Sequence, residues 1–163
     1  MKKVLLATLL INLVTEIYSF NPFNMMINKT NKWTTKINNV SNKEAYFAWL
    51  NNEWYNDNYN VIIEGDEYGK NSIRTKKNIN QIITETEYPY KIEYREYILP
   101  FLKPNKGEIQ FKRKKNNSEI IWKVEYQSLP LLEEITYKMY NNMINNSLKN
   151  IKTYCIRKQN QNI

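Results

Sequence analysis

Apolar and polar residues alternate through the middle of this chain. The clearest run is Glu119 to Gln127, where Ile120, Trp122, Val124 and Tyr126 fall on one side of an extended segment and Glu119, Lys123, Glu125 and Gln127 on the other. The same period of two recurs upstream. Trp33, Thr35 and Ile37 share a face in a first strand over Trp33 to Ile37. Strand segments follow at Val61 to Ile63, Ser72 to Lys76, Ile79 to Tyr88, Lys91 to Leu99 and Gly107 to Lys115. In the fourth of these, Ile92, Tyr94 and Ile98 share a face; in the fifth, Ile109 and Phe111 oppose Glu108, Gln110 and Lys112. Gly65 and Gly69 flank a reversal, because glycine accepts the positive φ that such a turn often needs. Pro89 interrupts the ladder, having no N–H to donate, and residues 100–107, with two prolines, read as a loop.

The period changes after Gln127. Leu129-Pro130 ends the last strand, and Pro130 suits the first turn of a helix running to Cys155. Glu133 and Glu134 match the positive end of its dipole, and Lys149, Lys152, Arg157 and Lys158 match the negative end. Leu132, Ile135, Met139, Met143, Leu148, Ile151 and Cys155 read as one broad apolar stripe with Tyr140 and Ile144 at its edge. A short helix opens at Ser41-Asn42-Lys43-Glu44, a capping box in which hydroxyl and carboxylate each serve the other residue's backbone N–H. A second short helical turn is expected within Asn51 to Asn58. Alternation this regular implies an antiparallel sheet with one wet face, and the long helix is the element that covers the other.

A chain of 163 residues makes one domain with one core. At the N-terminus, Lys2 and Lys3 precede an apolar run from Val4 to Val14, too short to span a bilayer. Residues 1–19 are therefore expected to be a signal peptide, with membrane anchoring as the alternative, and residues 20–31 a linker. Four Asn-X-Ser/Thr acceptors, at Asn28, Asn39, Asn116 and Asn145, are compatible with secretion. The net charge of +8 raises nucleic acid or an anionic membrane as partners. The charges are interspersed, however, and the dense run Lys112-Arg113-Lys114-Lys115 leads into a predicted hairpin tip. No nucleic-acid partner is expected, and an anionic membrane surface is at most a transient one. The absence of histidine removes the commonest general base and zinc ligand. Cys155, the single cysteine, reads as a buried small hydrophobe.

The order of strand, short helices, antiparallel strands and long terminal helix resembles the START-like superfamily, nearest its polyketide cyclase and lipid-transport branch. The pieces that match are residues 65–69 (Gly65-Asp66-Glu67-Tyr68-Gly69) before Arg74, residues 84–95 from Thr84 to Arg95, Gly107 to Phe111, Ile121 to Tyr126, and Ser147-Leu148-Lys149. The resemblance covers about Lys32 to Cys155, and the domain is expected to span 32–157 with 158–163 as a polar tail. It implies an α+β helix-grip (START/Bet v 1-like) fold, a curved antiparallel sheet of about six to seven strands wrapped on the C-terminal helix. A cone-shaped NTF2-like fold competes, but it places its long helices before the sheet. The resemblance also implies a monomer binding or carrying a small hydrophobic ligand (lipid, sterol or polyketide-like) between sheet and helix, without enzymatic activity or cofactor. Tyr94, Phe111, Trp122, Val124 and Tyr126 would line that space opposite Met139 and Met143, and no residue is assigned as catalytic or metal-binding. Two alternatives stay open: a cyclase or dehydratase using a carboxylate or tyrosine, and a cochaperone-like interaction module. Glu85, Glu87, Glu93 and Glu125 are the carboxylates available for acid–base work, each more naturally on the solvent face. Arg74 and Arg95 are candidate clamps for an anionic head group, or cross-strand partners of glutamates.

Overall fold

The computed structural model describes residues 25–50, 60–62, 66, 68–76, 79–97 and 104–161. The expected signal peptide (residues 1–19), the helical turn at 51–58, Gly65 and Ile98 lie outside the described residues. Among those described, seven strands form one antiparallel sheet: β1 (Ile27–Asn38), β2 (Asn60–Ile62), β3 (Ile73–Lys76), β4 (Ile79–Glu87), β5 (Lys91–Tyr97), β6 (Asn105–Lys114) and β7 (Asn117–Ser128). Their spatial order is β1-β7-β6-β5-β4-β3-β2, so the first strand closes back onto the last. Five strands are long, and β2 and β3 are short strands at the far edge. Helix α1 (Asn42–Leu50) follows β1, and α2 (Glu133–Gln161) ends the chain after a 3-10 turn at Pro130–Leu132. This is the α+β helix-grip architecture.

The capping box forms as the sequence predicts. The Ser41 backbone N–H donates to Glu44 Oε2 at 2.7 Å, and the Glu44 N–H donates to Ser41 Oγ at 3.3 Å. Helix α1 buries Ala45, Tyr46, Ala48, Trp49 and Leu50. Asn42, at its start, donates to the Phe111 carbonyl at 2.9 Å and so ties the helix to β6. Lys115 and Asn116 form the hairpin tip between β6 and β7, with Lys115 at φ 56°. The basic run is solvated: Lys112, Arg113 and Lys114 end β6 on exposed positions and Lys115 enters the turn.

Three boundaries differ from the sequence expectation. Strand β1 begins at Ile27, inside the expected linker, and pairs with β7 from Ile27↔Ser128 onward. Its inward positions there are Lys29 and Asn31, which bond to polar partners, so no apolar alternation announces the strand. Strand β6 begins at Asn105, inside the expected loop. Helix α2 continues to Gln161, so the expected tail 158–163 is helical for most of its length. Near the helix end, Gln159 donates to the Asn39 carbonyl.

Helix α2 runs beside β1. The salt bridge Lys29–Glu133 (2.6 Å) marks its start, and the bond from Trp33 Nε1 to Asn141 Oδ1 (2.9 Å) marks its middle. Its buried residues are Tyr140, Ile144, Ser147, Leu148, Ile151 and Cys155. Leu132, Ile135, Met139 and Met143 are exposed. The single stripe expected from sequence is thus two stripes. Met143 and Leu148 are five residues apart, which at about 100° per residue turns the side chain by roughly 140° beyond a full circle. Leu132, Ile135, Met139 and Met143 share one face, and the buried set shares another.

Inside the sheet, Gly107 makes room for the Tyr94 ring. A Cβ at Gly107 would fall within that ring. Gly107→Ala is expected to lower stability by roughly 1–3 kcal/mol, the range for forced overpacking, measured as a shift in the urea midpoint at unchanged slope.

Candidate ligand-binding site

The strand registers stack the inward side chains into rows that cross the sheet. One row is Ile92, Ile109, Trp122 and Trp33; the next is Tyr94, Gly107, Val124 and Asn31. Phe111 and Ile120 lie beyond the first row. This end is apolar and closed by α1. Trp49 stacks on Tyr94 at 5.8 Å between ring centroids and meets Trp122 edge-on at 5.8 Å. Trp122 Nε1 donates to the Tyr94 hydroxyl at 2.8 Å. Tyr46 packs against Phe111 and Tyr88 in the same layer.

The row at the other end is polar. Glu96 on β5 stands opposite Asn105 on β6, and Tyr126 on β7 stands opposite Lys29 on β1. Tyr140 of α2 stacks on Tyr126 with ring centroids 4.4 Å apart, and Asn105 Nδ2 donates to the Tyr140 hydroxyl. Asn31 Nδ2 donates to the Tyr126 hydroxyl at 2.8 Å. Glu96 is 8% exposed. Burial pushes its carboxyl above the usual carboxylate range, opposed by a hydrogen bond from Asn105. Burial, and next the neighbouring Glu96, raise the Tyr140 phenol well above its ordinary value. Tyr126 is also raised, mainly by burial.

The structure therefore brings together five of the seven expected lining residues. Tyr94, Phe111, Trp122, Val124 and Tyr126 are all buried on the inner face. Met139 and Met143 are not opposite them: they are 53% and 39% exposed, on the other stripe of α2. Relative to Tyr140, which points to β7, Asn141 points to β1. Met139 and Met143 lie on the opposite side of Tyr140, turned away from β1. The aromatic at the inner face that the sequence placed only at a stripe edge is Tyr140.

Glu85, Glu87, Glu93 and Glu125 face outward. Glu85 pairs across strands with Glu93, and Glu93 and Glu125 bind Lys91 and Lys123 on the wet face at 2.9 and 2.8 Å. Acid–base chemistry built on these four falls. The inward carboxyl is Glu96, and period-two alternation through Ile92 and Tyr94 points directly to it, two positions before Ile98. Arg95 stands opposite Lys106, not opposite a glutamate. The Arg74 side chain lies outside the described residues.

The cavities lined by described residues include one that touches the polar row. This one, of about 400 Å³, lies at the end of the sheet between β1, β6 and β7, lined by Lys29, Thr30, Arg95, Lys106, Glu125 and the expected lining residue Tyr126. Another of about 290 Å³ lies between α1 and α2, lined by Phe47, Ala48, Tyr88, Tyr154 and Cys155 with Lys43 and Lys158 at its rim. Cys155 is buried, and burial pushes its thiol up to about 12. Among the described residues no cluster of three or more His, Cys, Asp or Glu side chains is placed to hold a metal ion, and no helix is long and apolar enough to cross a membrane.

Comparison with known proteins supports the fold at low sequence identity. No family model and no curated protein matches the sequence. Among solved structures, Ara h 8.0201 is similar with a TM-score of 0.61 and 12% identity, over 80% of this chain and 99% of that one. Norcoclaurine synthase from Thalictrum flavum, in complex with dopamine and hydroxybenzaldehyde, is similar with a TM-score of 0.61 and 9% identity, over 82% of this chain and 90% of that one. A protein of unknown function from Staphylococcus aureus has a TM-score of 0.57 and 12% identity, over 82% and 98% of the two chains. The chain shares the START-like helix-grip fold with these structures.

The raised pKa of Glu96 has a definite sign in stability. The folded state binds the proton more tightly than the unfolded chain does, so stability falls as pH rises from the ordinary carboxylate value through the folded one. Below that window Glu96 carries no ionisation penalty. Urea midpoints measured from pH 4 to pH 8 are expected to fall less steeply for Glu96→Gln than for wild type. Parallel profiles would show that Glu96 titrates normally.

Proposed function

We propose that the protein is a non-enzymatic carrier of a small hydrophobic molecule, a lipid, sterol or polyketide-like compound, held between the sheet and α2. The observation that carries this reading is the division of α2 into two apolar stripes. One stripe packs on β1, β7 and α1. The other, Leu132, Ile135, Met139 and Met143, is exposed on the side turned away from β1, where the sheet continues toward β5 and β4. Ligand sites are mostly apolar with a few placed polar groups, and this stripe with the inward row at Glu96 has that makeup. Methionine adapts to varied apolar shapes. The structural neighbour that holds dopamine and hydroxybenzaldehyde is consistent with small organic ligands in this fold.

The same reading includes a monomer, export from the cell by the N-terminal segment, and brief contact with an anionic membrane. The net charge of +8 and the 96% exposed Leu131 at the start of the helix favour that contact. A second reading, a protein-interaction module, is favoured by the close packing of Trp49, Tyr94 and Trp122 together with the exposed stripe; there a partner protein would cover the stripe.

The two readings separate in one experiment. The purified protein is titrated with a panel of fluorescent lipids and sterols. Saturable uptake is expected, and Met139→Lys with Met143→Lys is expected to weaken it about tenfold or more, since a charge is costly to desolvate in an apolar site. Both positions are exposed, so the thermal melt should stay unchanged. Failure of every probe in the panel removes the carrier reading and leaves the interaction module.

A further inference from the structure

The gap between α1 and α2 is built by helical spacing. On α1, Lys43 and Phe47 are one turn apart, as are Glu44 and Ala48. On α2, Tyr154 and Lys158 are one turn apart, with Cys155 next to Tyr154. Each helix thus sets apolar side chains against the gap and a lysine one turn away, and both lysines line the same opening. Tyr88, the residue after β4, completes the floor. That floor is fixed by its neighbours. The buried Tyr46 packs on Phe47, Tyr88 and Phe111, and Tyr68 stacks on Tyr88 with ring centroids 4.4 Å apart. None of Tyr94, Trp122 and Tyr126 lines this gap.

The walls are apolar and the rim is not neutral. With its thiol pushed up to about 12 by burial, Cys155 adds soft apolar surface at neutral pH and no thiolate. Glu44 Oε2 accepts from the Ser41 N–H at 2.7 Å and from the Ser41 hydroxyl at 2.8 Å, so that carboxylate is committed to the capping box. Lys158 Nζ lies 5.1 Å from the Tyr154 ring centroid, a cation–π contact that keeps it at the rim. Lys43 belongs to none of the ion pairs among the described residues. The Glu44 charge reduces that of the two lysines without cancelling it, and the opening stays positive above an apolar floor.

We propose that this gap is a second binding site, for a short amphiphile with one carboxylate, its apolar body between Phe47, Tyr88 and Tyr154 and its head between Lys43 and Lys158. The site goes beyond the carrier reading and does not depend on it, since the two share no residue. At about 290 Å³ the gap stands at the foot of the range for small-molecule sites, about 300–1,000 Å³, so it suits a medium-chain acid and not a sterol. Walls already held by Tyr46 and Tyr68 need little ordering when a ligand enters. An alcohol of the same length would gain the walls and lose the lysines.

The test titrates the full protein with decanoate and with decan-1-ol, a pair that differs only at the polar end, by isothermal titration calorimetry at neutral pH. Wild type is expected to bind decanoate about fivefold or more tightly than the alcohol, the scale of two partly exposed ion pairs. Lys43→Gln with Lys158→Gln, both at exposed positions, is expected to bring the two within about twofold by weakening decanoate alone. Ala48→Leu, which takes up part of the gap, is expected to weaken both about fivefold or more. Met139→Lys with Met143→Lys is expected to leave decanoate within about twofold of wild type, because those charges lie on the other stripe of α2 and are screened by salt. No decanoate binding, equal affinities in wild type, or a preference that survives the double glutamine variant would overturn the second site. Loss of decanoate binding in the Met139 and Met143 variant would overturn it too, by moving the acid to the carrier space. If Ala48→Leu does not fold, the exposed lysine pair still decides the outcome.

Discussion

The docking of α2 along β1 is the constraint on which the rest of the molecule depends. Three ties fix it: Lys29 to Glu133 at the start, Trp33 to Asn141 in the middle and Asn39 to Gln159 near the end. Between them Tyr140 lies on Tyr126, and Ile144, Leu148, Ile151 and Cys155 complete the buried face. The helix therefore covers the β1 and β7 side of the inner surface. Its second stripe is centred roughly 120° around the helix from the first and so does not face the same layer. Exposure of Met139 and Met143 follows from where Tyr140 sits.

Helix α1 sets the other limit. It begins at a capping box whose Ser41 hydroxyl and Glu44 carboxylate satisfy free N–H groups. It then drives Trp49 between Tyr94 and Trp122. Buried aromatic contacts at this spacing add about 0.5–1.5 kcal/mol each beyond their area, so this end is a firm plug. The Tyr94 ring needs the space that Gly107 leaves. The inner face is thus graded along the strands: packed aromatics toward α1, and hydrogen-bonding groups toward the start of α2. A ligand entering from the polar end would meet the row at Glu96 before it met Trp122.

Most of the architecture was legible because β-alternation and helical period leave separate marks. Strand β7 declared itself through Ile120, Trp122, Val124 and Tyr126, and α1 through Ser41 and Glu44. What escaped notice was polar and inward. Ile27 to Asn31 looked like a linker because Lys29 and Asn31 point inward and find Glu133 and the Tyr126 hydroxyl there. Glu96 follows the inward alternation of Ile92 and Tyr94, but a carboxyl carries no hydrophobic mark of burial. Met139 and Met143 lie on another face than the aromatic row for a different reason. A seven-member apolar series was read as one stripe although its middle step is five residues long. Counting the angle across that step separates the stripes without any structure.

Fold and site stand on different ground here. A shared helix grip at 9 to 12% identity fixes the layers and the strand order, but folds of this breadth host unrelated functions. What is particular to this chain is a carboxyl on the inner face beside an amide, with no ion pair among the described residues for support. For packing alone a carboxyl is a poor choice. Glutamine would fill the same volume and accept from Asn105 with nothing to ionise, and leucine would avoid the polar desolvation altogether. The one property that sets glutamic acid apart at this position is a strong O–H donor that becomes a buried charge when it loses its proton. Burial sets the cost of that charge, so this end of the inner face is where the stability of the core depends on pH.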